Sequence, residues 1–543
     1  MLKNQNGYAL LNVLLVFTIL TIGGVSLLGI TMSSQKFVAY SQTYTEDMAA
    51  AEMELDEGIA NLQIKLDALN NNIMRGAVNS INLHTAIAEI IQTLNLNQEE
   101  NSANYLATPI RNITDENNIF IQKVEISVPI QNRKSKILKK TITISTLADV
   151  FKYSAVSDGK LTLNGATDII GDINVKDAIY LSNHAKFLYN SKNYRPETTF
   201  PSINGNLSVE DDGSYSQKFF TGVDPNWTPI QNLSNINNYF VHSPSMKNRD
   251  VNTNQFDIKE LVNEKVKMFS NVSLTNLFES DSSEVDTKTY SKGVIFSNHL
   301  KVKNSLTVNG NLILNRGITL LEGAKLKVTG NIFIYSPFYS FLSGNIELTN
   351  KNNFLLNFGY SYLHNLDLKG KMYNYGSLDV RDDLNMNGTI YVSGNTTIEN
   401  LNNRSGGTAV ILSDGNLQVS NNNQYQTSPK EMNAFLYSNQ DLEIYGVGSN
   451  IKIKGGIYGK NIILNATKGN TYPVRGYSDY ISNLNTSNYN TYGNYLYIEK
   501  NQSNPSLQSR LKIEFNPDII LNPPTGIPTV EKLQITEIDQ KIE

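Results

Sequence analysis

The first apolar run of the chain sets the scale for the rest. From Gly7 to Met32 it reads GYALLNVLLVFTILTIGGVSLLGITM, and no ionisable side chain other than tyrosine falls between Lys3 and Lys36. At a rise of about 1.5 Å per residue, Leu10 to Met32 makes a helix of roughly 35 Å, long enough to cross the hydrocarbon core of a bilayer. The pattern then turns amphipathic. Leu55, Ile59, Leu62, Leu66, Leu69 and Ile73 recur at spacings that alternate between four and three, while Glu46, Asp47, Glu52, Glu54, Asp56 and Glu57 lie off that stripe. Such a helix needs a partner surface, supplied either by its own domain or by neighbouring subunits.

A second helix is predicted from Leu83 to Leu94, where Leu83, Ile87, Ile90, Ile91 and Leu94 share one face. The period then changes to two. Val124, Ile126 and Val128 alternate with polar residues, as do Ile142 and Ile144, with the turn-prone segment Gln131 to Ser135 between them. This predicts a β-hairpin. Its rim is basic (Arg133, Lys134, Lys136, Lys139 and Lys140). Lysines that protect a solvated strand edge explain such a rim, and binding to DNA or to anionic wall polymers is the alternative.

From about Lys160 short alternating strands recur around glycine-centred turns, as in LTVNGNLIL (Leu306 to Leu314) and LKVTGNIFI (Leu326 to Ile334). Gly310 and Gly330 are twenty residues apart, Gly370 and Gly388 eighteen. That regularity, without helical stretches between the strands, predicts a β-solenoid, with an antiparallel β-sandwich as the alternative; the coil length resembles that of right-handed parallel β-helix proteins, and the resemblance implies that fold. The segment Phe219 to Tyr290 lacks the repeat and contains a predicted helix at Asp257 to Phe269, placed to cover an open end of the solenoid. A last strand near Leu511 to Phe515 precedes the extended NPPTGIP, Asn522 to Pro528. The expected division is a short polar leader at 1–7, the long helix at 8–78, a small α+β region at 79–155, and a first solenoid part at 156–218. An insertion follows at 219–292, then the main solenoid at 293–515 and an extended tail at 516–543.

Composition narrows the function classes. A chain of 543 residues with 40% hydrophobic content forms more than one domain. A net charge of −4 gives no global attraction to nucleic acid or to anionic membranes. The absence of cysteine removes disulfides and thiolate metal sites, and together with abundant Asn and Lys points to a low-GC Gram-positive source. The histidines His84, His184, His242, His299 and His364 are scattered without ligand spacing, so neither a metal nor a cofactor is expected. Paired carboxylates are what a glycosidase needs. Asp382 and Asp383, after Arg381, are the best such pair and Asp211-Asp212 a poorer one; a polar corner between coils is the simpler reading of both. The Tyr-rich loop Gly476 to Tyr497 offers flat faces to sugar rings or fills structural roles.

The N-terminus carries the most specific signal. A leader with the single charge Lys3 ends in Gly7, an aromatic Tyr8 follows, and the apolar helix starts at once. This resembles a type IV prepilin, in which a dedicated peptidase cuts after the glycine and the new N-terminus is methylated. The resemblance implies cleavage between Gly7 and Tyr8 and a helix that first anchors the subunit and then packs in a filament core. It further implies a single-pass membrane protein with a cytoplasmic N-terminus and an extracellular C-terminal domain. Major pilins carry glutamate at the fifth mature position; here that position is Asn12. Losing one partner of a buried charge pair removes much of the registration between stacked subunits. Minor pilins with a PilX-type N-terminus lack that glutamate as well, and LLVFTILTIGGVSLLG and AAAEMELDEGIA are similar to that pattern. An uncleaved signal anchor remains the alternative. The expected partners are a prepilin peptidase, other pilins or pilus assembly proteins, the membrane and a surface polysaccharide, and nucleic acid is not among them. The expected role is structural or adhesive, at a pilus tip or in its assembly, without enzymatic activity. A tethered polysaccharide-processing β-helix enzyme and a DNA-uptake pseudopilus component are the alternatives.

Overall fold

The computed structural model describes residues 6–74, 83–96, 105–114, 120–131, 136–210, 217–248, 255–274, 277–348, 350–474 and 484–543. The chain divides into two compact units, Met1–Thr146 with Glu531–Glu543, and Leu147–Val530.

In the first unit, α1 runs from Asn6 to Met74 without a proline to break it, and α2 from Leu83 to Leu96. Strands β1 (Leu106–Thr114), β2 (Phe120–Pro129) and β3 (Ile137–Leu147) form an antiparallel meander. The C-terminal strand, Thr529–Ile542, adds beyond β3. Ile137 and Glu543 exchange N–H···O bonds of 2.8 and 2.9 Å, the mark of an antiparallel pair. Leu55, Leu62, Leu66 and Leu69 of α1 and Ile87 and Ile91 of α2 close over Val124, Ile126, Ile142, Ile144 and Leu533. The partner surface of the amphipathic stripe is therefore this unit's own core. Asn70, buried at the same interface, donates to the Leu533 carbonyl at 2.9 Å and accepts the Leu533 N–H at 2.7 Å.

This corrects the expected extended tail at 516–543. Residues 518–521 form a short helix, the carbonyls of Thr525 and Gly526 accept the hydroxyls of Thr389 and Tyr391, and the remainder is a sheet strand. NPPTGIP does not end the fold; it is the return path along the solenoid.

The second unit is a parallel β-solenoid of about 14 turns. Its coils stack in parallel register, as in Gly370↔Gly388 and Ile390↔Ile411, which excludes the sandwich. The periodic glycines mark corners where coils touch: Gly388 has φ +151°, and a Cβ there would collide with the Gly370 carbonyl. Leu, Ile and Val of each coil point inward into one continuous core.

The chain enters this stack at an interior coil. Ala155–Ser157 and Lys160–Gly165 pair in parallel with Ile451–Ala466, as Ile457↔Ala155 and Ile462↔Leu161. Coils then advance through Ala178–Ser182 and Phe219–Val223 to Ser245–Asn248. After a connection along the outside, a second run starts at Phe278–Ser280 and stacks back through Ile332–Glu347, Phe354–Tyr375, Leu378–Val392 and Lys430–Gly446 to Ile451–Ala466. Leu511–Glu514 closes the junction between Ile451–Lys454 and Asp168–Ile170. The two blocks predicted separately are one stack.

The expected insertion at 219–292 is corrected accordingly, because its two flanks are coils of the stack. The hairpin and turn after Phe219 and the connection around the helix Ile258–Ser270 leave it, and that helix covers a flank, not an end. Phe269 lies 4.8 and 5.0 Å from the rings of Phe333 and Phe358, and Phe256 lies 5.2 Å from Tyr437. Aromatic residues pointing outward on successive coils make that flank apolar, and the helix buries it. The coils near Phe219 are covered instead by the hairpin strand Asn226–Pro229 and the turn Leu233–Tyr239, whose Ile236 joins the solenoid core.

Candidate functional site

The functional reading of the first unit rests on α1. From Leu10 to Val38 every large apolar side chain on it is exposed, on all sides of the helix. Thr18, Thr21 and Thr31 donate their hydroxyls to the carbonyls of Leu14, Phe17 and Leu27 at 2.5, 2.7 and 2.8 Å, so these threonines expose no free donor on the apolar surface. A helix apolar all round and covered by none of its own chain is long and apolar enough to span a membrane. Asn12 is exposed within this run. Gly7 and Tyr8 lie in the first turns of α1, with side chains outside the described residues.

Farther along, Leu55, Leu62, Leu66 and Leu69 are buried and Ile59 is half-buried, while the side chain of Ile73 lies outside the described residues. Gly58 sits on the same face, where a Cβ would come within 3.0 Å of the Tyr105 ring. Leu66 is fully buried, so Leu66→Ala is expected to destabilise the first unit by about 3 kcal/mol, measured by chemical denaturation of the purified full chain.

The carboxylate pair lies at a bulge. The register between Leu378–Val392 and Thr396–Asn403 shifts between Val380 and Asp383, and Asp382 has φ +59°, so Arg381, Asp382 and Asp383 are all exposed. Asp382 faces His364, and Asp383 accepts the Asn402 side-chain amide at 3.1 Å. Arg381 donates to Asp379 at 3.0 Å and lies 4.8 Å over the Tyr362 ring. Burial, and then the neighbouring Asp379 carboxylate, raise the Glu399 pKa above the usual carboxylate range. Asp211 and Asp212 lie outside the described residues.

Two lysines of the basic rim are neutralised, while Lys136 is exposed. Lys139 pairs with Glu543 at 2.8 Å and Glu125 at 3.1 Å, and Lys140 with Glu537 at 2.9 Å and Asp56 at 3.1 Å. The hydrogen bond from Lys139 holds the Glu543 carboxyl down at about 2. Arg133 and Lys134 lie outside the described residues. Among the described residues no group of His, Asp and Glu side chains is arranged to hold a metal.

Sequence reasoning missed a cavity of about 410 Å³ on the outer face of the solenoid. Gln418 and Glu443 contribute to it from adjacent coils, in register with each other, and Tyr495 from the Tyr-rich segment. Polar residues alternating outward on strands are too common to stand out. The sequence signal was the run Asn421 to Tyr425, of which Asn421, Asn423 and Tyr425 have positive φ.

No family model matches this chain, and no curated protein matches it. The chain is similar in structure to the competence-associated pilin ComZ from Thermus thermophilus, with 9% identity over 81% of this chain and 87% of that one and a TM-score of 0.27.

Proposed function

We infer that this chain is a membrane-inserted, pilus-related subunit, processed between Gly7 and Tyr8 by a prepilin peptidase and displaying its solenoid outside the cell. The observation that carries this reading is the division of α1. Its first half is bare and apolar, and its second half is packed on a four-stranded sheet. A plain signal anchor does not need a continuous helix that becomes the spine of a folded unit; a subunit extracted from the membrane into a filament does. The solenoid is inserted between β3 and the C-terminal strand, so both ends of the first unit's chain hold it together irrespective of what is displayed. Asn12 supplies no negative charge for a neighbouring subunit's N-terminal amine, which favours a minor subunit, and a cargo of this size favours a tip or initiating position. The work assigned to the solenoid is structural or adhesive, not catalytic.

The test is the mature N-terminus. With the full chain expressed in a Gram-positive host with and without its prepilin peptidase, mass spectrometry is expected to find Tyr8 as the first residue, methylated, only when the peptidase is present. An intact Met1 in both hosts overturns the assignment and leaves a plain anchored ectodomain.

A further inference from the structure

The cavity on the solenoid surface is built from three parts. Its floor is a small grid on two stacked coils: Leu417↔Leu442, Gln418↔Glu443 and Val419↔Ile444 are in register, so Gln418 and Ser420 stand beside Glu443 and Tyr445 on the outer face. One wall is the hairpin Phe187–Tyr194, turned by Asn190 and Ser191, both at positive φ, with the Tyr189 ring 3.9 Å from that of Tyr495. The other wall is the loop through Asn421 and Tyr425.

The chemistry of this lining is specific. No lysine or arginine lines the cavity, and Glu443 takes part in no ion pair among the described residues. Its carboxylate accepts the Asn465 amide at 3.1 Å. The Gln418 amide, exposed on the floor, makes no hydrogen bond among the described residues. Tyrosine rings, an amide and a carboxylate therefore line one cavity. A pyranose ring matches this arrangement, with C–H faces for the aromatic walls and hydroxyls for Gln418 and Glu443. An added peptide strand does not match it, because Leu417–Val419 is already paired on both sides, with Thr396–Ile398 and Leu442–Ile444.

The loop wall is fixed before any ligand arrives. Tyr425 N–H donates to the Gly448 carbonyl at 2.9 Å, and the Asn423 amide donates to the Ser428 and Asn450 carbonyls at 3.0 and 2.8 Å. A loop held at positive φ by such bonds loses little entropy on binding.

We propose that this cavity binds a neutral oligosaccharide, with a pyranose ring stacked on Tyr189 and hydrogen-bonded to Gln418 and Glu443. The unpaired carboxylate rejects polyanionic glycans. The inference rests on the solenoid alone, so it stands or falls independently of N-terminal processing.

The experiment uses the full chain in lipid nanodiscs, titrated with cellohexaose, chitohexaose and hexagalacturonate as probes and read by calorimetry. Binding of at least one neutral hexasaccharide, no binding of hexagalacturonate, and weakening by about tenfold in both Tyr189→Ala and Glu443→Gln are expected. Tyr189 is exposed, so its variant folds, and circular dichroism verifies both variants. Absence of binding to both neutral probes overturns the proposal. So does preference for hexagalacturonate, or affinity that neither variant changes.

Discussion

Deleting residues 531–543 is expected to unfold the first unit while the solenoid remains folded. The deletion removes Leu533 from the core shared by α1, α2 and the sheet, and leaves both polar ends of the buried Asn70 side chain without their partner. Losing a fully buried leucine costs about 2–5 kcal/mol and an unsatisfied buried amide about 1–3 kcal/mol. Together these approach the whole stability of a small domain. The deletion also bares the edge of β3, whose Lys139 and Lys140 lose Glu543 and Glu537. Hydrogen exchange read by mass spectrometry separates the units: peptides from 120–131 and 137–146 should exchange freely, and those from 354–392 should stay protected. Unchanged protection of β2 and β3 would show that the C-terminal strand is an ornament on a unit that closes without it.

That outcome depends on a pairing the sequence did not disclose. The long helix, α2 and the β2–β3 hairpin were legible because each writes its own period into a local stretch, as Leu55 to Leu69 and Val124 to Val128 do. The solenoid was legible for the same reason, and the spacing from Gly370 to Gly388 is literally one coil. Partners are another matter. Residues 531–542 carry enough Leu and Ile for a strand, but no local feature names β3 as its neighbour. Likewise Leu161 to Leu163 satisfies the alternation of any coil. Its place beside Ile462 to Leu464, where the Asn164 amide donates to Asn465 at 2.9 Å across 301 positions, is a property of the assembled stack. The surface sites follow the same division. Asp382 and Asp383 were visible as a charged pair, yet the bulge that turns both outward is set by register with the next coil. Gln418, Glu443 and Tyr445 were invisible because only stacking brings them together.

Replacing Arg510 by methionine is expected to destabilise the solenoid by about 5 kcal/mol, although the substitution removes a buried charge. Arg510 is 1% exposed, and no carboxylate pairs with it among the described residues. Its Nε donates to the Ser449 carbonyl at 2.9 Å, Nη1 to those of Gln426 and Gly469 at 3.3 and 3.0 Å, and Nη2 to that of Gly448 at 3.1 Å. Burial pulls its pKa down to about 10, which corresponds to about 3 kcal/mol held against the charged form. Methionine relieves that cost but strands four carbonyls, at roughly 2 kcal/mol each. The second effect wins. Lysine keeps the charge but concentrates its donors at one point, so Arg510→Lys also falls short of four dispersed acceptors. The pH dependence has a fixed sign. The folded pKa lies below the unfolded one, so the unfolded chain binds the proton more tightly, and this group's contribution to stability rises as the pH climbs past about 10. Denaturation midpoints of the wild type and both variants test the balance, and a methionine variant as stable as the wild type would mean that the buried charge outweighs its four bonds. Three of the carbonyls that Arg510 holds belong to the loop after Tyr425 and to Gly448 and Ser449 at the base of the cavity, so Arg510→Met should also weaken hexasaccharide binding without touching the sugar. Arg510 thus stabilises the solenoid and keeps a binding wall in place at once, and Arg510→Met is the variant in which stability and binding should fall together.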